Sequence, residues 1–165
     1  MSSDAKSEQL IEISIAEQSL SLINAGEVIH RYSISTGKAG VSEQRGSGGT
    51  PRGWHKIRAW IGADAPINSV FVGRRATGEI YSEALARQFP ERDWVLSRIL
   101  WLSGLEPGKN RLGMVDSMAR FIYLHGTPDD QPMGVPRSHG CIRMRNHDIV
   151  EMFPLLSANV RVNIF

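Results

Sequence analysis

Leu10-Ile11-Glu12-Ile13-Ser14-Ile15 alternates apolar and polar side chains. Leu20-Ser21-Leu22-Ile23 repeats the pattern, Asn24-Ala25-Gly26 supplies a turn, and Val28-Ile29-His30-Arg31-Tyr32-Ser33-Ile34 follows. Strand side chains point to opposite faces with a period of two. The opening third is therefore predicted to be an antiparallel β-meander. Trp54 to Trp60 reads as another strand, and Val160, Val162 and Ile164 alternate as a closing one. Thr36 to Gly53 is rich in Gly, Ser and Thr and reads as a long loop.

The middle of the chain changes character. Ile80 to Gln88 reads as a short helix. Asp93 to Leu102 is predicted to be a second, capped by Asp93, with Val95, Ile99 and Leu102 on one face and Gly104 at its end. Residues 77–113 are expected to be a helical insertion packed on the sheet. Arg120-Phe121-Ile122-Tyr123-Leu124 reads as a strand ending at His125. Asn146 is expected to cap a helix running to about Phe153, with Asp148 near its positive end. The fold class is mainly β (mixed α/β): a twisted sandwich or partly closed barrel with a few short helices.

At 165 residues the chain is one domain, large enough for a core without disulfides or metal. Residues 1–9 read as a tail and 10–165 as the domain. A net charge of +2, with both signs interspersed, excludes a dedicated nucleic-acid surface. No window is apolar enough to span a bilayer. Met1 to Gln9 shows no basic start with an apolar run behind it, so a cytoplasmic location is expected. A chain that had lost its signal would instead belong to the periplasm or cell envelope.

Cys141 is the one cysteine, within Ser138-His139-Gly140-Cys141-Ile142-Arg143. It cannot form an internal disulfide. Preceded by glycine and accompanied by histidines, it has the setting of a nucleophile. Gly140 lets successive N–H groups turn toward an oxyanion. His125, in His125-Gly126-Thr127, and His139 are the candidate bases. A zinc reading can also be built from His125, His139, Cys141 and His147. His139-x-Cys141 is not a usual zinc spacing, however, and no CxxC pair exists. Gly37-Lys38 invites a phosphate-loop reading, but its spacing and context fail.

The His125-Gly126-Thr127 and Ser138–Arg143 segments together resemble the signature of the L,D-transpeptidase catalytic domain family. Thr50-Pro51-Arg52-Gly53 matches the family's Thr-Pro-x-Gly turn. The resemblance runs from about Leu10 to Phe165. The loop from His125 to Ser138 is short for the family, and Arg143 stands where many members carry asparagine. No peptidoglycan-binding module is visible.

The resemblance implies acyl transfer through a thioester at Cys141, with no metal or cofactor. His125 would be the base, oriented by a backbone carbonyl in Gly126-Thr127. His139, Gly140 and Cys141 would give oxyanion N–H groups, and Ser138 would hold the turn or meet substrate. Arg143, with Arg137, would bind a stem carboxylate, and Tyr123 would wall the pocket. Trp94 and Trp101 read as core. The implied partners are peptidoglycan stem peptides or muropeptides, cleaved between diaminopimelate and D-alanine. Water as acceptor gives an L,D-carboxypeptidase of murein recycling, and an amine gives 3-3 cross-links. A silent wall-peptide-binding domain is the alternative from another class. An activated thiol is also expected, alkylated rapidly below the ordinary thiol pKa of about 8.5.

Overall fold

The computed structural model describes residues 8–165. Ten strands form one sheet: β1 (Gln9–Ser14), β2 (Ser19–Asn24), β3 (Glu27–Ser35), β4 (Gly53–Ile61), β5 (Ser69–Val72), β6 (Arg75–Ile80), β7 (Val95–Gly104), β8 (Tyr123–Thr127), β9 (Ile142–Arg145) and β10 (Arg161–Ile164). Two short helices accompany them, α1 (Glu83–Gln88) and α2 (Asn146–Met152). The strand order is β4-β10-β1-β2-β3-β9-β8-β7-β5-β6, and β4 also pairs with β7. That extra pairing closes the strands from β4 round to β7 into a barrel, which removes their free edges. The β5–β6 hairpin projects from one end of β7.

Alternation builds the core. Ile11, Ile13, Leu20, Leu22, Leu100, Leu102, Leu124, Ile142, Met144, Val162 and Ile164 turn inward and are almost fully buried. Ile149 and Met152 of α2 join the same cluster. β1, β2 and β3 form the expected antiparallel meander, and β10 adds to β1 in parallel.

Several expectations are corrected. The helix predicted over Asp93 to Leu102 is strand β7, which pairs with β4, β5 and β8. Leu96, Leu100 and Leu102 face one way, and Val95, Ile99 and Trp101 the other. The ladder slips between Leu96 and Ile99, where Ser97 takes a φ of 71°. Apolar side chains cover both faces of β7, so the run has no polar alternation and admits a helical reading. The region 77–113 is thus no helical insertion; α1 is its one α-helix, and β7 belongs to the barrel.

The strand expected over Arg120 to Leu124 begins at Tyr123, and His125 sits at its middle. Residues 118–121 turn instead, with Phe121 at φ 58°. Asn146 does not cap α2 from outside. It is the first helical residue, and its amide is buried elsewhere. Gln9, expected in the tail, opens β1, and its side chain donates to the Leu155 carbonyl at 2.9 Å. Residues 1–7 of that tail lie outside the described residues. No helix among the described residues is long and apolar enough to cross a membrane.

Candidate active site

β8 and β9 run parallel, with Leu124 opposite Ile142 and His125 opposite Arg143. Leu124 and Ile142 face the core. Tyr123, His125, Cys141 and Arg143 therefore share the other face. Cys141 immediately precedes β9, beside Tyr123, whose N–H points at its sulfur at 3.4 Å. His125 is the diagonal neighbour of Cys141 on that face, within reach for an imidazole ring.

His125 is buried, and its Nδ1 lies 2.7 Å from the carbonyl of Gly126. A carbonyl only accepts, so Nδ1 carries the proton and Nε2 keeps its lone pair. Burial pushes the His125 pKa below its ordinary value, opposed by the Gly126 bond and by the Asp93 charge. The ring is therefore neutral at neutral pH, as a proton acceptor must be. Gly126 has no room for a side chain, because a Cβ would run into the Asn146 amide and the Leu96 carbonyl. That amide accepts from Ser97 Oγ at 2.9 Å and donates to Asn68 Oδ1 at 2.6 Å. It ties α2 to the β7 bulge beneath the His125–Gly126 step.

Cys141 is half-buried, and its thiol donates to the Phe121 carbonyl at 3.3 Å. Burial pushes the thiol pKa up to about 11. The Tyr123 N–H, Arg143 and Arg120 oppose the rise, whereas Asp93 adds to it. This corrects the expectation of an activated thiol: the resting pair is neutral thiol and neutral imidazole. Iodoacetamide labelling of Cys141 should thus be slow at pH 7 and rise about tenfold per pH unit toward pH 10, following the thiolate fraction. Labelling rates against pH check this, and a plateau below pH 8.5 would show a resting ion pair instead.

The turn carrying the cysteine is held by residues far away in sequence. Ser138 is buried; its Oγ bonds the Cys141 carbonyl at 2.5 Å and accepts the Gly140 N–H at 3.1 Å. It holds the turn and is not exposed to a substrate. Because Gly140 N–H is committed, the expected oxyanion donors reduce to His139 and Cys141. Gly140 has a φ of 125°, and a Cβ there would sit 3.2 Å from the Gly49 carbonyl. Thr50 Oγ1 donates to the Gly140 carbonyl at 2.9 Å and accepts the Gly37 N–H at 2.8 Å. The Thr-Pro-x-Gly segment thus clamps the glycine-rich loop onto the cysteine turn.

His139 is exposed, its Nδ1 3.3 Å from Asp93 Oδ2. It is paired outward and does not hydrogen-bond the thiol. Arg143 is buried, with Nη2 3.0 Å from Asp93 Oδ1 and Nη1 near Gln131 Oε1 and the Arg137 carbonyl. Its guanidinium pairs with a carboxylate of the protein through Nη2, and its buried Nε has no partner among the described residues. The Arg137 side chain is exposed, and its backbone N–H bonds Ser35 Oγ at 3.0 Å. Tyr123 packs in one cluster with Cys141, its hydroxyl accepting from Arg74 Nη1 at 2.9 Å. Trp94 is buried beside Leu96, whereas Trp101 is partly exposed. His147 pairs with Asp148 at the surface. Among the described residues, no three His, Cys, Asp or Glu side chains converge on a common point.

Sequence reading missed three charged residues here. Asp93, taken for a cap, joins Arg143 to His139; burial opposes ionisation, but His125, Arg143 and His139 together hold its carboxyl below the ordinary range. Arg120 donates to the Ser42 and Gly49 carbonyls at 3.1 and 2.7 Å and lends positive charge to the sulfur. Arg74 reaches over from the β5–β6 hairpin. Asp93 lies 50 residues from Arg143 in sequence, so no local pattern could have joined them.

A strand-borne histidine fixed by its own backbone thus lies beside a glycine-turn cysteine in a closed β-barrel. Residues 8–164 match the YkuD L,D-transpeptidase catalytic domain, and the chain belongs to that family. Among solved structures, the L,D-transpeptidase from Mycobacterium smegmatis superposes with a TM-score of 0.60 at 16% identity, over 96% of this chain and 58% of that one. An L,D-transpeptidase from Xylanimonas cellulosilytica gives 0.54 at 18%, over 98% and 62%. L,D-transpeptidase 3 from Mycobacterium tuberculosis, in complex with a faropenem-derived adduct, gives 0.56 at 16%, over 94% and 59%. The chain thus spans less than two thirds of the length of each. A comparison with curated proteins finds no match.

Proposed function

We propose that the protein cleaves the diaminopimelate–D-alanine bond of peptidoglycan stem tetrapeptides through a thioester on Cys141. The observation that carries this is the His125 Nδ1–Gly126 bond, which leaves Nε2 as an acceptor on the face shared with the sulfur. The thiol proton passes to Nε2 as sulfur attacks the carbonyl carbon. The tetrahedral oxyanion takes N–H bonds from His139 and Cys141. The C–N bond then breaks, and the proton on Nε2 goes to the departing D-alanine amine. A second nucleophile, deprotonated by the same Nε2, releases the acyl group and returns the proton to sulfur.

The proposed second nucleophile is water, making the protein an L,D-carboxypeptidase. The proposed setting is the cytoplasm, where soluble stems and muropeptides are recycled and polymeric acceptors are absent. The fold of the loop after β8 supports this choice. The 128–137 loop folds back on β3, with the Gly134 N–H on the Ile34 carbonyl and Ser35 Oγ on the Val135 carbonyl. Between that loop and α1 lies a cleft of about 440 Å³ bordered by Trp94, Pro128 and Gln131. The test offers tetrapeptide with a large excess of amine acceptor, such as a D-amino acid or a second stem. Tripeptide and free D-alanine are expected as the main products by mass. Predominant exchange or 3-3 dimer would make the protein a transpeptidase, and absence of any turnover would favour a binding domain.

A further inference from the structure

Arg74 is a guanidinium beside Tyr123 and Phe121, the residues flanking the sulfur, that the mechanism above does not use. Arg143 and Arg120 carry their charge to Cys141, and Arg74 reaches the neighbouring Tyr123 and Phe121 side chains. Arg143 is bound to Asp93, and Arg120 is bound to backbone carbonyls of the glycine-rich loop. Arg74 has no carboxylate partner among the described residues. Its guanidinium carbon lies 4.6 Å from the centre of the Trp101 ring and 4.9 Å from that of Phe121. One nitrogen, Nη1, is spent on the Tyr123 hydroxyl at 2.9 Å.

This placement is built. Arg74 takes a left-handed φ of 66° at the tip of the β5–β6 hairpin, a conformation that costs energy for a residue with a side chain. Its seat is made of the two residues that touch the sulfur by backbone: the Phe121 carbonyl accepts from Sγ, and the Tyr123 N–H donates to it. Trp101 lies against both aromatic rings. Stacking on aromatic faces fixes a planar guanidinium while leaving its remaining N–H edge for a ligand. An anion held there would lie against the side chains of the two residues that contact the sulfur.

We propose that Arg74 determines substrate specificity by binding the free carboxylate that flanks the scissile bond. This rests on the reading of Cys141 as the nucleophile and deepens it. A stem tetrapeptide carries two such groups beside that bond: the terminal carboxylate of D-alanine and the side-chain carboxylate of diaminopimelate. Both offer two oxygens to a planar fork. Arg143, the choice made from sequence, gives way in this role because its guanidinium is buried and paired through Nη2 with Asp93.

The test compares three ligands: the free-acid tetrapeptide, its C-terminal carboxamide, and the tetrapeptide amidated on the diaminopimelate side chain. Affinities are measured by calorimetry on Cys141→Ala protein, so that they do not depend on turnover, and kcat/KM is measured on protein with the cysteine intact. Arg74→Gln should weaken binding of the free acid about tenfold or more, the scale of a charge-assisted bond. It should leave unchanged the affinity for whichever amide has lost the contacted group, and that amide names the carboxylate. Arg74→Lys should recover only part of the loss, since it keeps the charge without the fork. Arg58→Gln, removing a guanidinium 5.9 Å from the same Trp101 ring, should not alter the acid-to-amide ratio. Equal losses for all three ligands, or no loss in Arg74→Gln, would overturn the proposal. Discrimination in binding without turnover of the tetrapeptide would uphold Arg74 and overturn the hydrolytic reading alone.

Discussion

Replacing His125 by glutamine or alanine should lower kcat on tetrapeptide by about 10²-fold or more, the effect of removing a positioned general base. The resting site makes this demand severe. The Cys141 thiol is pushed up to about 11, so almost no thiolate exists at neutral pH, and attack requires proton transfer within the reacting complex. Nε2 of His125 is the acceptor that the fixed tautomer provides. His139 is exposed and turned toward Asp93, so His139→Ala should cost less than about tenfold by the same comparison. Rates of D-alanine release measure both. A dead His139 variant beside a near-normal His125 variant would reverse the two roles. Thermal unfolding of the variants distinguishes lost chemistry from a lost fold.

Asp93→Asn should damage the enzyme through two partners. It removes the charge paired with buried Arg143, at a cost of about 1–3 kcal/mol; this is below the range for fully buried pairs because Asp93 is nearly half exposed. It also removes the charge that helps hold up the His125 pKa. The base then becomes weaker, and kcat should fall about tenfold. The sign of the pH effect follows. Activity on the acid side is lost when Nε2 becomes protonated, so a lower His125 pKa moves the acid limb of kcat/KM to lower pH. A merely structural Asp93 would leave that limb in place. Arg143→Lys should reproduce the stability loss in part, since lysine keeps the charge but cannot hold Asp93, Gln131 and the Arg137 carbonyl together.

What could be read in advance divides along physical lines. The meander and closing strand were legible because strict alternation has one structural meaning. Strand β7 was not, because both of its faces are apolar, and Val95, Ile99 and Leu102, drawn from the two faces, fall in a helical period. The carbonyl beside His125 was anticipated because no carboxylate is adjacent in sequence, and Gly126 supplies it. Asp93, Arg120 and Arg74 were not anticipated, since their meaning comes from pairings across the barrel and its hairpin. The pairing of Arg143 was hidden for the same reason: its partner is an internal carboxylate that the motif does not contain.

The central claim, that Cys141 is the attacking group, is tested most directly by intact-protein mass after exposure to a carbapenem, followed by peptide mapping. The strained β-lactam carbonyl stands in for the scissile one, and its ring-opened product stays on the nucleophile. The expected result is a single added mass on the peptide containing Ser138 to Arg143, absent from Cys141→Ala and formed far more slowly by His125→Gln. An unmodified mass, or an adduct that persists without Cys141, would contradict it.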